Sequence, residues 1–309
     1  MLFLKIYKSQ RGGDIMKKIV IKTIAEYVDL VCHENAKLKR RNFYSENLLF
    51  RGQADNTNTL IPSIGREKTT GGCLIEEERN MIEMAKFKLT NVFKGNMQPV
   101  ELLALLQHHG IPTRLLDVTE NALVGLYFAC HGFEDKDGEV IVFKNNDFDI
   151  ANYPVVNGIA DTYRFTRENE TTIKDFFKQI IRQPYFSEQQ LEISEYGNVQ
   201  DGARWIENCC EKVMFIYAPS YSLRQHIQRG RYILFPNKIS KNDKGEMIFE
   251  KELSPIEKDN EAIVSLITVP KECKERIRMD LRLLGVSKGL LFLDNEDMVC
   301  QEIANRFGY

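Results

Sequence analysis

Seven polar or titratable side chains, Gln107, His108, His109, Thr113, Arg114, Asp117 and Thr119, crowd the run Gln107-His-His-Gly-Ile-Pro-Thr-Arg-Leu-Leu-Asp117-Val-Thr119. The flanking chain is apolar, so the run reads as a rigid turn beside buried helices, where each unpaired polar group costs about 1–3 kcal/mol. These groups must pair with one another, with backbone or with a ligand. One structural arrangement is available: Asp117 or Thr119 caps the helix that starts near Asn121, and Arg114 pairs with Asp117. A single cap does not call for two histidines, a threonine and an arginine, which favours a ligand. His108 and His109 are adjacent and diverge by about 100° on a helix, so no metal is expected. None of the seven cysteines is marked as an activated nucleophile, and Cys130, on an apolar helix, reads as core.

Two other segments carry related groups. Asn47-Leu-Leu-Phe-Arg-Gly-Gln53 is an apolar strand that ends in a charge and a glycine, an arrangement that places a side chain at a sheet's edge. Arg224-Gln-His-Ile-Gln228-Arg-Gly-Arg231 leads into the strand Arg231 to Phe235. Together FRGQ, QHHGIPTRLLDVTENALVGLYFA and RQHIQRGRYILFP resemble the FRG domain family, named for its (F/Y)RG motif. The tail LITVPKECKERIRMDLRLLGVSKGLLFLDNEDMVCQEIANRF is similar to that family's closing strand, helix, strand and helix. The resemblance runs from about Ile19 to the C-terminus and is weakest before Lys212. Val118 stands where the family commonly has Trp, and Ala122 where Ser or Pro is common.

FRG domains have been described mostly without an assigned activity. Their motif order resembles a distant version of the ADP-ribosyltransferase layout, in which a first strand carries Arg or His, a second region Ser, Thr or Tyr, and a later segment Glu or Gln, all around NAD. The resemblance implies an α+β fold with a mixed, split β-sheet and flanking helices, ADP-ribosyltransferase-like, and NAD as co-substrate. It implies that Arg51 grips a phosphate or ribose through its planar fork, while Gln228 hydrogen-bonds a ribose hydroxyl. Gln53, His109, Thr113, Arg114 and Thr119 would supply further polar contacts, and Tyr127 would stack on the nicotinamide ring. Arg229 and Arg231, beside Gln228, would meet the substrate. Glutamine cannot accept a proton as a carboxylate does, so the acid or base role falls to Asp117.

The elements that would position these groups follow from periodicity and punctuation. The sequence predicts a strand over Ile19–Thr23, a helix to about Asn35, the strand ending at Gln53, and helices over Leu74–Val92, Pro99–His108 and Asn121–His131. Pro99 suits a first helical turn, and Gly110 with Pro112 stops that helix. Strands are predicted over Glu139–Phe143, Lys212–Ala218, Arg231–Phe235, Ile263–Val269 and Leu290–Leu293, with helices over Lys271–Leu284 and Met298–Phe307. The stretch between about Asn145 and Lys212 reads as an insertion or elaborated loop with one amphipathic helix near Thr172–Ile181. The irregular mixture of strands and helices favours α+β over a doubly wound sheet. One FRG domain over 17–309, with the insertion at about 145–211, is the expected organisation.

The 309 residues hold 42 Lys plus Arg and 44 Asp plus Glu, a formal charge of −2, so bulk charge will not hold a nucleic acid. Any such contact must be local, and the candidates are Lys37, Lys39, Arg40 and Arg41, or Arg224, Arg229 and Arg231. The odd set of cysteines lacks zinc spacing and fits reduced thiols in the cytoplasm. No apolar run is long enough to span a membrane, and no secretory signal is visible. Arg11, Gly12 and Gly13 precede Met16 as a ribosome-binding sequence would, so residues 1–16 read as a non-native leader or as a short arm. The favoured function is an NAD-dependent ADP-ribosyltransferase-like enzyme, a toxin or antiphage effector acting on RNA, DNA or protein, with an antitoxin or regulator as a further partner. The alternative is a non-catalytic module that senses a nucleotide or a partner with the same pocket.

Overall fold

The computed structural model describes residues 6–8, 17–38, 48–67, 71–93, 97–166, 171–187, 198–219 and 223–292. The Met16 start, the Lys39, Arg40 and Arg41 cluster and the helix expected at Met298–Phe307 lie outside them. Among the described residues an eight-stranded sheet runs in the order β1 (Ile6–Lys8), β2 (Lys17–Val20), β10 (Ile263–Val269), β5 (Gly138–Lys144), β3 (Leu48–Gln53), β4 (Leu115–Thr119), β7 (Gly230–Leu234) and β6 (Met214–Ile216). The strands β8 (Ile239–Lys241) and β9 (Met247–Phe249) form a separate hairpin. Only β2 and β10 pair in parallel, so this is the mixed α+β architecture that the irregular element order implies.

Helices α1 (Ile24–Lys37), α2 (Glu78–Lys88), α3 (Pro99–His108) and α4 (Ala122–Cys130) precede or flank the central strands. Local chemistry sets their ends. Thr23 caps α1 by accepting from Glu26 N; Gln98 and Glu101 form a reciprocal cap ahead of Pro99 in α3. Gly110, at φ +82°, turns the chain out of α3. Asn121, rather than Asp117 or Thr119, caps α4 by accepting from Leu123 N and Val124 N.

The segment read as an elaborated loop is mostly helical: α5 (Phe148–Ala160), α6 (Thr162–Phe165), α7 (Ile173–Ile180), α8 (Pro184–Ser187) and α9 (Val199–Cys210). Val155, Ile159, Phe176, Phe177, Ile180 and Ile206 are buried in one core with Met214, Ile216 and Leu234 of the sheet. Short helices joined by polar turns hid this packing from a periodicity reading. The chain closes with α10 (Leu223–Ile227), α11 (Lys274–Leu283) and α12 (Lys288–Leu291). The last corrects the expected strand at Leu290–Leu293, because Ser287 accepts from Leu290 N and starts a helix there.

Side-chain alternation divides the sheet's contacts. Leu49, Leu116, Val118, Ile141, Phe143, Phe215 and Ile233 point to one face, under the segments around Leu60 and Leu253. On the other face, Phe50, Val140, Val142 and Ile267 lie under α4 and α11, whereas Leu115, Tyr232 and Leu234 join α3 and α5. Two helical groups thus cover this face side by side. The pairing beneath also thins: β3 and β4 share a single registered pair, Phe50 with Thr119, while β4 and β7 stay paired from Leu115 to Thr119. The sheet is continuous there, with the pairing reduced to that one position.

Glycines let α4 lie directly on β3. A Cβ at Gly52 would sit 2.0 Å from Gly125 O and 2.6 Å from Ala129 N, and one at Gly125 would sit 2.8 Å from the Phe50 Cβ. Backbone cannot yield as a side chain can. The substitution Gly52→Ala is therefore expected to destabilise the protein by about 1–3 kcal/mol or more, read as a lower urea midpoint. An unchanged midpoint would contradict this packing.

Candidate functional site

A cleft of about 350 Å³ opens where the two helical groups part, within the size range of small-molecule sites. Phe50, Gly52, Asp117, Thr119, Gly230 and Tyr232 line its sheet side; Val124 and Phe128 of α4, Gln107 and His108 of α3, and Arg224, Gln225 and Gln228 around α10 complete it.

Arg51 lies where β3 and β4 separate, and its Nη1 donates to the Asp117 backbone carbonyl at 2.7 Å. A side chain, not a ladder amide, bridges the opening. Its Nε is buried without a hydrogen-bond partner among the described residues. Burial lowers the Arg51 pKa; the Asp117 carboxylate opposes that shift and the Arg66 charge adds to it. The part of the guanidinium that faces the cleft can meet an anion or a hydroxyl, whereas the buried Nε is withdrawn from it.

The Asp117 carboxylate is exposed and oriented by a relay. Leu115 N donates to Thr113 Oγ1 at 3.2 Å, Thr113 Oγ1 donates to Gln107 Oε1 at 2.6 Å, and Gln107 Nε2 donates to Asp117 Oδ1 at 2.8 Å. Because Thr113 donates to the Gln107 carbonyl, the amide nitrogen must face Asp117. Thr113 is buried and thus serves the cleft at one remove.

On the facing wall, Thr119 Oγ1 accepts from Asn121 N at 2.9 Å and donates to the Gln228 carbonyl at 2.6 Å, fixing the turn before β7. Gln228 Nε2 donates to Leu291 O at 3.0 Å, tying that turn to α12. The Arg224 guanidinium lies 4.4 Å from the Phe292 ring centre, and Phe292 meets Phe128 edge-on. Burial, with Asp117 adding to it, raises the Tyr232 pKa and keeps that phenol neutral.

Of the residues singled out in the sequence, Arg51, Gln107, His108, Asp117, Thr119, Arg224 and Gln228 line this cleft. Others lie elsewhere. Gln53 is buried and donates to Asn58 O at 3.3 Å. His109 is exposed at the end of α3, with its ring against that of His108. Arg114 is buried and pairs with Glu78, not Asp117; its Nη1 donates to Asn237 Oδ1 at 2.9 Å and to Phe235 O at 3.2 Å. Tyr127 is buried and stacks on His131 with ring centres 5.1 Å apart. Arg229 pairs with Glu120 at 3.2 Å, and Arg231 is buried with its guanidinium 3.6 Å from the Tyr217 ring centre.

Phe128, Gln225 and Tyr232 were missed as cleft residues, and Gln107 had no assigned role. Helix α4 is apolar on all sides, so no stripe marked Phe128. The amide of Gln107 and the hydroxyl of Thr113 had the chemistry to pair, but only the turn at Gly110 brings them together. Burial pushes the Cys130 thiol up to about 12, in keeping with a core residue.

The fold and cleft define a mixed α+β protein with a candidate site where β3 and β4 share a single registered pair. Residues 46–138 match the family model of the FRG domain, and the chain carries an FRG domain over that segment. The matched segment supplies Arg51, Gln107, Asp117 and Thr119; the wall from Arg224 to Tyr232 lies beyond it. The match is narrower than the span expected from Ile19 onward. No curated protein and no solved structure matches the chain. Among the described residues no helix is long and apolar enough to cross a membrane.

Proposed function

We propose that the cleft binds a dinucleotide of the NAD type and transfers its ADP-ribosyl group to an acceptor. One observation carries the reading: a half-buried guanidinium and an oriented, solvent-facing carboxylate share one cleft. The chemistry needs both. As the bond between ribose C1′ and the nicotinamide nitrogen breaks, its electron pair leaves with nicotinamide and positive charge grows on the ribose. Asp117 stabilises that charge, and Arg51 holds a phosphate or a ribose hydroxyl. The acceptor's lone pair then forms the new bond to C1′, and its proton passes to Asp117 or to water. Thr119 and Gln228 shape the far wall, and Phe128 offers an aromatic surface to a planar ring.

A second reading, a nucleotide sensor without chemistry, has its own support. Gln228 already spends its amide nitrogen on Leu291 O, and Asp117 is the sole carboxylate among the described cleft-lining residues. A role as a cytoplasmic toxin or antiphage effector, with an antitoxin or regulator as partner, rests on the family resemblance alone.

Titration calorimetry with NAD tests the site. Wild type is expected to bind, and Arg51→Ala to bind about 10–100-fold more weakly, as loss of a charge-assisted contact implies. Equal affinities would remove Arg51 from the site.

A further inference from the structure

A second space adjoins the cleft at Arg51. This smaller hollow of about 230 Å³ shares Arg51, Gln107 and Asp117 with it, and Ser63, Arg66, Ile111 and Leu116 are among its other lining residues. Asp117 therefore lines both spaces. Such a site can hold a donor on one side and an acceptor on the other.

The smaller space is lined by two cations and one carboxylate, Arg51, Arg66 and Asp117. Arg66 follows the tight turn Ser63–Gly65, is exposed, and forms no salt bridge among the described residues. It lies close enough to Arg51 for its charge to lower the Arg51 pKa. Asp117 does not neutralise the pair by direct contact, since Arg51 takes its backbone carbonyl and Gln107 takes its carboxylate. With Arg51 and Arg66 lining one hollow against a single carboxylate, the balance of charge there favours an anion with several oxygens. Beyond Asp117, Arg224 adds a third cation on the far wall of the main cleft. Arg229 and Arg231, by contrast, have Glu120 and Tyr217 as neighbours.

Cations on both sides of the reacting position suit a chain that repeats its negative charge. We infer that the hollow between Arg51 and Arg66 is a phosphate subsite for the acceptor, and that the acceptor is a single-stranded polynucleotide whose backbone enters past Arg66 and brings its nucleophile to Asp117. This rests on the ADP-ribosyl-transfer reading of the main cleft. With a net charge of −2, the surface as a whole will not hold such a chain, so the local cations must.

The test is fluorescence anisotropy with a labelled single-stranded oligonucleotide over a range of salt concentrations, without NAD. Arg66→Ala is expected to weaken binding by about 3–10-fold and to flatten the dependence of log affinity on log salt by about 0.7, one phosphate contact. Arg66 is exposed, so the fold should persist, as a melting curve will check. Arg276→Ala removes the same charge from the exposed side of α11 and is expected to bind as wild type does. Equal losses in the two variants, no oligonucleotide binding by wild type, or tighter binding of an acidic peptide would each overturn the inference. Because NAD is absent, failure here leaves the NAD reading standing; oligonucleotide binding without nicotinamide release would fail the NAD reading alone.

Discussion

Replacing Asp117 by asparagine is expected to lower nicotinamide release from saturating NAD by about 10²–10⁴-fold, the range for a group that stabilises charge or moves a proton in the transition state. The change keeps the shape and an oxygen for the Gln107 amide, so the relay from Leu115 N through Thr113 survives. Only the negative charge is lost. Asp117 is exposed, so stability should move little, and NAD affinity should change by less than about tenfold because the charge matters most when the ribose becomes cationic. A rate within about threefold of wild type would show that another group carries the step.

Removing Glu78 is expected to have the largest effect on stability. Glu78 and Arg114 are both buried and joined by a bidentate pair, with Arg114 Nε donating to Glu78 Oε1 at 2.8 Å and Nη2 to Oε2. Glu78→Ala leaves a buried guanidinium without its counterion, a loss of about 3–5 kcal/mol in a urea unfolding experiment. A double variant, Glu78→Leu with Arg114→Met, should recover much of that loss, since neither charge is then buried. The pair fastens α2 to the chain just before β4, and through it holds the turn that carries Thr113. Near-wild-type stability of Glu78→Ala, with NAD binding abolished, would instead make the pair part of the site.

This pair also shows what the sequence could and could not disclose. The helix Pro99–His108 was legible to its ends because Pro99, Gly110 and Pro112 act through fixed backbone preferences. Thr119 and Gln228 were legible because they stand at a strand end and beside a turn, and Arg51 and Asp117 because each is a charge within an otherwise apolar strand. Arg114 and Arg231 have the same chemistry but sit in the interior. Arg231 alternates with Ile233 and Phe235, two core residues of one sheet face, a signal for its burial. Nothing in the sequence marks Glu78, thirty-six positions away, as the partner of Arg114. Leu290 to Phe292 misled for another reason: a short apolar run fits strand or helix, and the Ser287 cap decides.

The Thr113, Gln107 and Asp117 relay gives the histidine-rich turn a use that neither histidine supplies. Its geometry fixes a carboxylate beside Arg51, and everything proposed for the cleft depends on that juxtaposition. Nicotinamide release by wild-type protein incubated with NAD tests it most directly. Release that follows enzyme concentration and falls with Asp117→Asn is the expected result. Tight binding of NAD with no release, with or without an oligonucleotide acceptor, would contradict the transferase reading and leave a nucleotide sensor in its place.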